Sequence, residues 1–321
     1  MVAWSVPART LLATAATAAA TQLAVASVSV PLKTDIVYDL SGYELSLLVF
    51  EQALDLTGQV QFIRAITFGL CTFVSLYYPQ LSAMGLKTFT EAPLQALMSL
   101  PGPSSFHPRQ LMMSAMTLVW ASRLGSYLFV RAINAGGDPR FEEIKKDRVK
   151  FSVAFIGQIL WCSLTALPVY AVNAVPARLQ PALGWKDAIG ISLWVFGFAF
   201  EVIADRQKAA WTKARKEKKT HDLFLKTGLW GKCRFPNYFG EATLWTGVYV
   251  TSLGLLTAPG LSVYPPWFVV AAAAAPIFET LLITQVSGIP IIQKHHDKKH
   301  GKNTKYQKYK REVPLFFPKL F

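Results

Sequence analysis

The sequence predicts an all-α, polytopic transmembrane helix bundle of about seven spans (six to seven), and three observations lead there. Residues 10–32, 65–86 and 151–177 contain no Asp, Glu, Lys or Arg, and each is long enough to cross roughly 30 Å of hydrocarbon. Residues 242–293 carry a single charge, Glu279, in enough length for two crossings, with a break marked by Pro259-Gly260 and Pro265-Pro266. The net charge of +14 is concentrated in two stretches, +8 in residues 206–236 and +7 in residues 294–321, and both abut apolar runs. That placement follows the positive-inside rule and the pull of anionic lipid, and it argues against nucleic acid as the partner. At 321 residues, 52% hydrophobic and 16% charged, composition alone would also suit a large globular chain. The segregation of charge decides between them.

Taken in order, residues 10–32 are rich in Ala, Thr, Ser and Val and poor in Leu. They read as a first span, with a targeting segment as the alternative because no acid precedes Asp35. Residues 33–58 are polar and acidic, and Ser41 to Leu56 reads as a short amphipathic surface helix or a re-entrant piece. A second span covers about 60–81, followed by a loop through Leu100-Pro-Gly-Pro103. The third, about 109–132, carries Arg123, Tyr127 and Arg131 at i, i+4 and i+8, on one helical face. Arginines inside a span are costly and face a polar cavity or an anionic ligand, or snorkel to the interface. Asn134–Lys150 is a mixed-charge loop. Spans four (about 151–174) and five (about 185–205) follow, the latter ending in Glu201, Asp205, Arg206 and Lys208. Spans six (about 237–258) and seven (about 263–288) complete the bundle. With the loops 133–150 and 206–236 and the tail 294–321 cytosolic, seven spans place the N-terminus on the opposite side.

The chemistry gathers at the cytosolic ends. In Gly228-Leu-Trp-Gly-Lys-Cys-Arg-Phe-Pro-Asn-Tyr-Phe-Gly-Glu241, Pro236 suits the first turn of a helix. Lys232 and Arg234 stand beside that N-terminus, where free N–H groups and the helix dipole favour anions. Asn237, Tyr238 and Glu241 open the apolar span with polar side chains. With Asp138, Arg140, Glu201, Asp205, Lys208, His295, His296, Tyr306, Tyr309 and Arg311, they form a set suited to a phosphate-bearing cofactor. Basic groups would hold phosphates, and Asp, Glu and Asn would bind ribose hydroxyls or an amide. No G-x-G-x-x-G and no G-x-x-x-x-G-K-[ST] occurs, so such a site is neither a Rossmann fold nor a P-loop. His296 and His300 are i, i+4, but Lys298, Lys299 and Lys302 would repel a cation, and no metal is expected. Cys71, Cys162 and Cys233 lie far apart and define no disulfide framework.

Residues 228–241 resemble the G-L-W-x-x-x-R-H-P-N-Y-x-G-E signature of steroid 5-alpha-reductase-like membrane proteins, nearest the domain of unknown function 1295 branch. Further matches are Trp120-x-x-Arg123-Leu124 with Arg131, Asp138 and Arg140; Glu201-x-x-x-Asp205-x-Gln207-Lys208; and Ser287-Gly288-Ile289-Pro290 with Tyr306-x-x-Tyr309 and Pro318. The likeness covers roughly residues 110–321. It divides the chain into N-terminal membrane segments with variable loops, 1–108, and a C-terminal domain, 109–321. The resemblance implies a bundle in the endoplasmic reticulum that binds NADPH at the cytosolic face. It also implies reduction of a carbon–carbon double bond in a steroid or other small hydrophobic substrate.

Carried over by residue, Asn237, Tyr238 and Glu241 would contact the cofactor, with Arg234 near its phosphates. Arg123, Arg131, Asp205, Lys208 and His295 would join them, and Tyr306, Tyr309 and Arg311 would close over it. The acid opposite the hydride would be Tyr127, a Glu such as Glu44 or Glu51, or Glu241; no motif fixes the choice. Phe235 stands where the signature has His, and Gln293 where relatives often carry an acid. Two other readings share part of the pattern. One is an S-adenosylmethionine-dependent enzyme resembling isoprenylcysteine methyltransferases; the other is a non-catalytic membrane scaffold of the same fold. The sequence gives no handle on oligomeric state.

Overall fold

The computed structural model describes residues 5–29, 65–80, 82, 98–135, 147–261 and 263–319, and the regular structure among them is helical throughout. The chain forms two compact units, Met1–Ala182 with Pro259–Tyr264 and Leu183–Ala258 with Pro265–Phe321.

The first unit holds α1 (Val6–Ser29), α2 (residues 65–80), α3 (Pro108–Ala135), α4 (Arg148–Thr165) and α5 (Leu167–Asn173). The hydroxyls of Thr10, Thr14, Thr17 and Thr21 each donate to the carbonyl four residues earlier, so the threonine-rich α1 presents few unmet polar groups. Gln22 donates to Thr67 Oγ1 at 2.9 Å, tying α1 to α2. Phe68 of α2 meets Trp120 of α3 and Trp161 of α4 edge to face, with centroids 5.3 and 5.0 Å away. Asp147 caps α4 by accepting from the N–H groups of Val149 and Lys150. Ala166 and Pro168 then break the helix, and α5 departs at 52°. Arg109, fully buried at the start of α3, donates to the carbonyls of Pro181 and Ala182 at 3.2 and 3.3 Å. It thereby satisfies backbone acceptors that the link after the 3₁₀ turn Ala177–Leu179 would leave unmet.

The second unit holds α6 (Trp185–Lys216), α7 (Pro236–Leu256), α8 (Trp267–Leu281), α9 (Ile289–His300) and α10 (Thr304–Glu312). Its framework is the antiparallel pair α6–α7, which approaches backbone to backbone. A Cβ on Gly197 would lie 2.6 Å from Gly240 O, and one on Gly247 would lie 2.5 Å from Gly190 O. Small residues at these crossings let the two helices meet without side chains between them. The register sets Glu201 opposite Gly240 and hence Asp205 level with the start of α7. A single π-turn, Leu282–Val286, follows α8 before Gly288 leads into α9.

Among the described residues, three helices are long and apolar enough to cross a membrane: Val6–Ser27, Trp185–Lys216 and the continuous run Trp267–His300. The bent pair α4–α5 makes a fourth if it counts as one span. These helices support an integral membrane protein. Seven spans are not shown among the described residues. The described part of α2 is short, α3 carries Arg109, Arg123 and Arg131, and α7 carries Asn237, Glu241 and several threonines. At 32 and 34 residues, the two longest helices measure about 48 and 51 Å. That exceeds roughly 30 Å of hydrocarbon, so their basic ends, Lys208–Lys216 and Lys294–His300, project beyond it.

Candidate functional site

The motif Gly228–Gly231 is a 3₁₀ turn seated on the polar end of α6. Gly228 has φ +60°, a backbone conformation that favours glycine, and a Cβ there would also press on the Gln207 amide. Gln207 Oε1 accepts from the Leu229 N–H at 2.9 Å, and buried Trp230 donates its indole N–H to Ala204 O at 3.0 Å. Trp230 O in turn accepts from the Tyr309 hydroxyl at 2.7 Å. The signature tryptophan thus joins α6 to α10.

The residues after it are fixed from the C-terminal side. The Arg234 N–H donates to Pro314 O and the Lys319 N–H to Lys232 O, both at 2.9 Å. Phe316 and Phe317 pack on Phe239. Phe235, 3% exposed, precedes Pro236 at the start of α7 and offers that start no side-chain cap. Its ring stacks on Tyr238, with centroids 5.9 Å apart and planes 15° apart. A Cβ on Gly288, two residues past the π-turn, would clash with the Ile283 backbone carbonyl and also come within 3.1 Å of Tyr238 Cε2, so glycine here lets the turn close and leaves room for that tyrosine.

Between the end of α6, the loop 223–235 and the helices α9 and α10 lies a cavity of about 170 Å³. Phe224, Trp230, Phe235, Tyr306 and Tyr309 give it aromatic walls. Phe224 meets Tyr306 and Tyr309 at 5.3 and 5.1 Å between centroids. Lys208, Arg215, Arg234 and Lys299 line it together with His295, His296 and His300, and no acid does. The Lys208 ammonium stands 5.2 Å over the Trp230 ring. Burial, with the charge of Lys208 beside it, pushes the His296 imidazole down to about 4, so it is neutral at pH 7. Burial likewise raises the Tyr306 hydroxyl to about 12, helped by its bond to Asp297, and raises Tyr309 further. Both phenols stay protonated and can donate.

One polar network braces the cavity. Arg234 Nη1 donates to Gln293 Oε1 at 2.8 Å, and Gln293 Nε2 donates to Asp297 Oδ1 at 2.8 Å. Asp297 also accepts from the Tyr306 hydroxyl at 3.0 Å and from Lys310 at 2.8 Å. Arg234 Nε and Asn237 Oδ1 are buried without a hydrogen-bond partner. Unmet buried groups of this kind cost stability unless something else bonds to them.

Of the residues expected at a cofactor site, the structure gathers Lys208, Arg234, His295, Tyr306 and Tyr309 around this one cavity. Asn237, Tyr238 and Glu241 lie in the first two turns of α7, with Glu241 8% exposed, and Asp205 on α6 is 5% exposed. Arg311 is exposed on α10. Arg123, Tyr127 and Arg131 lie on α3, in the first unit. Glu44, Glu51, Asp138 and Arg140, and the predicted surface helix Ser41–Leu56, lie outside the described residues. His296 and His300 stand 6.5 Å apart between ring centroids. The sequence reading did not single out Trp230, Asp297 or the role of Gln293. The i, i+4 spacing of Gln293 and Asp297 beside two tyrosines was the available signal.

The model of a family described as "Protein of unknown function (DUF1295)" matches residues 84–313, more than half of the chain. An uncharacterized protein of Schizosaccharomyces pombe is 29% identical, over 44% of this chain and 48% of its own length. The chain thus spans about half the length of the curated relative it matches. No solved structure matches.

Proposed function

This chain belongs to the DUF1295 family, and we propose that it is a membrane-embedded, NADPH-dependent reductase of a carbon–carbon double bond in a steroid or other lipid-like substrate. The observation that carries this reading is the cavity with aromatic walls, four cations and no acid, set beside two buried polar atoms without partners. Its donor set fits a phosphorylated dinucleotide. Lys208, Arg234 and Lys299 answer phosphate charge and the aromatic walls answer a planar ring; Asn237 and Asp205, outside the cavity lining on α7 and α6, are assigned the amide and hydroxyl groups in this reading. At about 170 Å³ the cavity is smaller than the roughly 300–1,000 Å³ of a whole-ligand pocket, so it suits one end of such a molecule. The bound dinucleotide would supply a hydride.

The chain's own residues do the rest. Tyr309 and Trp230 hold α10 against the end of α6, which braces the cavity's aromatic side. Gln293 fixes the Arg234 guanidinium, and the Phe235–Tyr238 stack orients the first turn of α7. Neutral His296 leaves the positive charge on the lysines and arginines at pH 7. The resemblance also assigns Arg123, Arg131, His295 and Arg311 to the cofactor, and the proposal keeps that assignment. The proton complementing the hydride comes from Tyr127, Glu51 or Glu241. The topology proposed with it has seven spans, a cytosolic C-terminus and a place in the endoplasmic reticulum.

The test is thermal unfolding of the purified full chain in detergent with NADPH, NADH or S-adenosylmethionine. Stabilisation by NADPH that is lost in Asn237→Ala is expected. Stabilisation by S-adenosylmethionine alone, or by none of the three, would overturn the proposal in favour of a methyltransferase or a scaffold.

A further inference from the structure

On the other side of the Arg234–Gln293–Asp297 network lies a second, open groove of about 740 Å³. Its polar rim is Arg234, Lys294, Lys298 and Lys310, and its apolar part is Ile289, Pro290 and Leu315. We propose that this groove is a binding site for an anionic phospholipid, with the phosphate held by Lys294 and Lys298 and the start of an acyl chain lying along the exposed Pro290 and Leu315. The inference does not depend on the reductase reading.

Three observations carry it. The first is charge. Lys310 is matched by Asp297 at 2.8 Å, whereas Arg234 donates to the neutral Gln293. Lys294 and Lys298 are exposed, and no acid other than Asp297 lines the groove, so it keeps a net positive charge. The second is the pattern along α9. Pro290, Lys294 and Lys298 share one helical face at i, i+4 and i+8, so the groove grades from apolar to basic along the helix. The third is depth. α9 follows directly on the apolar run of α8 and the π-turn, so its first residues emerge where hydrocarbon gives way to headgroups. Basic pockets at that level take anionic headgroups. A soluble phosphate would use the lysines and leave the apolar floor bare, and a zwitterionic headgroup would bring its own cation against them.

The test is native mass spectrometry of the full chain in detergent, titrated with phosphatidylglycerol, with phosphatidylcholine, and with phosphatidylglycerol plus excess inorganic phosphate. A discrete phosphatidylglycerol adduct is expected, with no comparable phosphatidylcholine adduct and no displacement by phosphate. Lys294→Gln with Lys298→Gln should weaken it roughly thirtyfold, the factor two near-surface lysines supply. Lys305→Gln with Lys308→Gln, exposed on α10 and outside the groove, should leave it unchanged. Equal binding of both lipids, equal loss in the two double variants, or displacement by inorganic phosphate would each overturn the assignment, the last by showing a free-anion site.

Discussion

Replacing Gly240 by Ala tests the α6–α7 contact on which the candidate site is built. The new methyl group would lie 2.7 Å from both Glu201 N and Gly197 O, which belong to the facing helix backbone and cannot rotate away. Ordinary contact needs about 3.5 Å, so the helices must part by about 0.8 Å or α7 must turn. Overpacking of this kind costs about 1–3 kcal/mol, which lowers the melting temperature by about 1.5–4.5 °C for a chain of this size. Glu201 is at the contact and Asp205 is one turn on, so the strain falls on the part of α6 that faces the start of α7. Fluorescence-monitored unfolding of the full chain in detergent reads the shift. Gly157→Ala is the control. Gly157 lies inside α4 with nothing within 4 Å of a built Cβ, so alanine there gains about 0.5–1 kcal/mol of helix propensity and should hold or raise the melting temperature. If Gly240→Ala melts with the parent chain, or both substitutions shift it alike, the close-packed reading of this pair is wrong.

Gly288→Ala should disturb the π-turn and the Tyr238 ring beside it, because the new carbon would clash with the Ile283 backbone carbonyl and lie 3.1 Å from Tyr238 Cε2, and so lower both the melting temperature and its rise with NADPH; a variant that melts and responds like the parent chain would refute this packing. The His296 imidazole, pushed down to about 4 by burial first and then by Lys208, His295 and His300, binds its proton less readily folded than unfolded. Stability should therefore be fully present above about pH 6.5 and fall as pH drops towards 4, with a shallower fall in His296→Asn measured by melting across that range. All three cysteines are buried, and burial raises the Cys233 thiol to about 11. The folded chain should thus resist a polar maleimide even at Cys233 in the basic loop, with labelling appearing only on denaturation; rapid native labelling would place Cys233 elsewhere.

Much of the helical order follows from where charge is absent. Apolar stretches persist into helices because each carries uninterrupted helix-compatible side chains and ends at Pro, Gly or a charged cluster. The departures have local causes. α6 runs on to Lys216, past the Asp205–Lys208 boundary where the sequence suggests the span stops, because Ala, Lys, Arg and Gln are good helix formers outside hydrocarbon as well. Span four bends at Ala166–Pro168, where a proline inside an apolar run was the visible warning. The fully buried Arg109 does the reverse of what an isolated charge suggests, since it is spent on backbone carbonyls.

At the site, the G-L-W motif was legible as part of a family-like string of residue types, but its structural meaning was not. Gly228's positive φ and the Trp230–Ala204 and Trp230–Tyr309 bonds join segments 26 and 79 residues apart, and no local pattern encodes that pairing. The glycine register Gly190, Gly197, Gly240 and Gly247 is a heptad on each helix, readable only once the two helices are known to face each other. Gln293 looked like the loss of an acid. In the fold, its amide bridges Arg234 and Asp297 by using both its acceptor and its donor, which a carboxylate cannot do.

The most direct test of the reductase reading follows hydrogen. The full chain in detergent is given NADPH deuterated at the transferable position of its nicotinamide ring, together with enone lipids, and the recovered lipids are analysed by mass spectrometry. The account predicts a saturated product carrying one deuterium, absent with Asn237→Ala and with NADPH left out. NADPH that binds yet passes no deuterium to any lipid of the panel would contradict it.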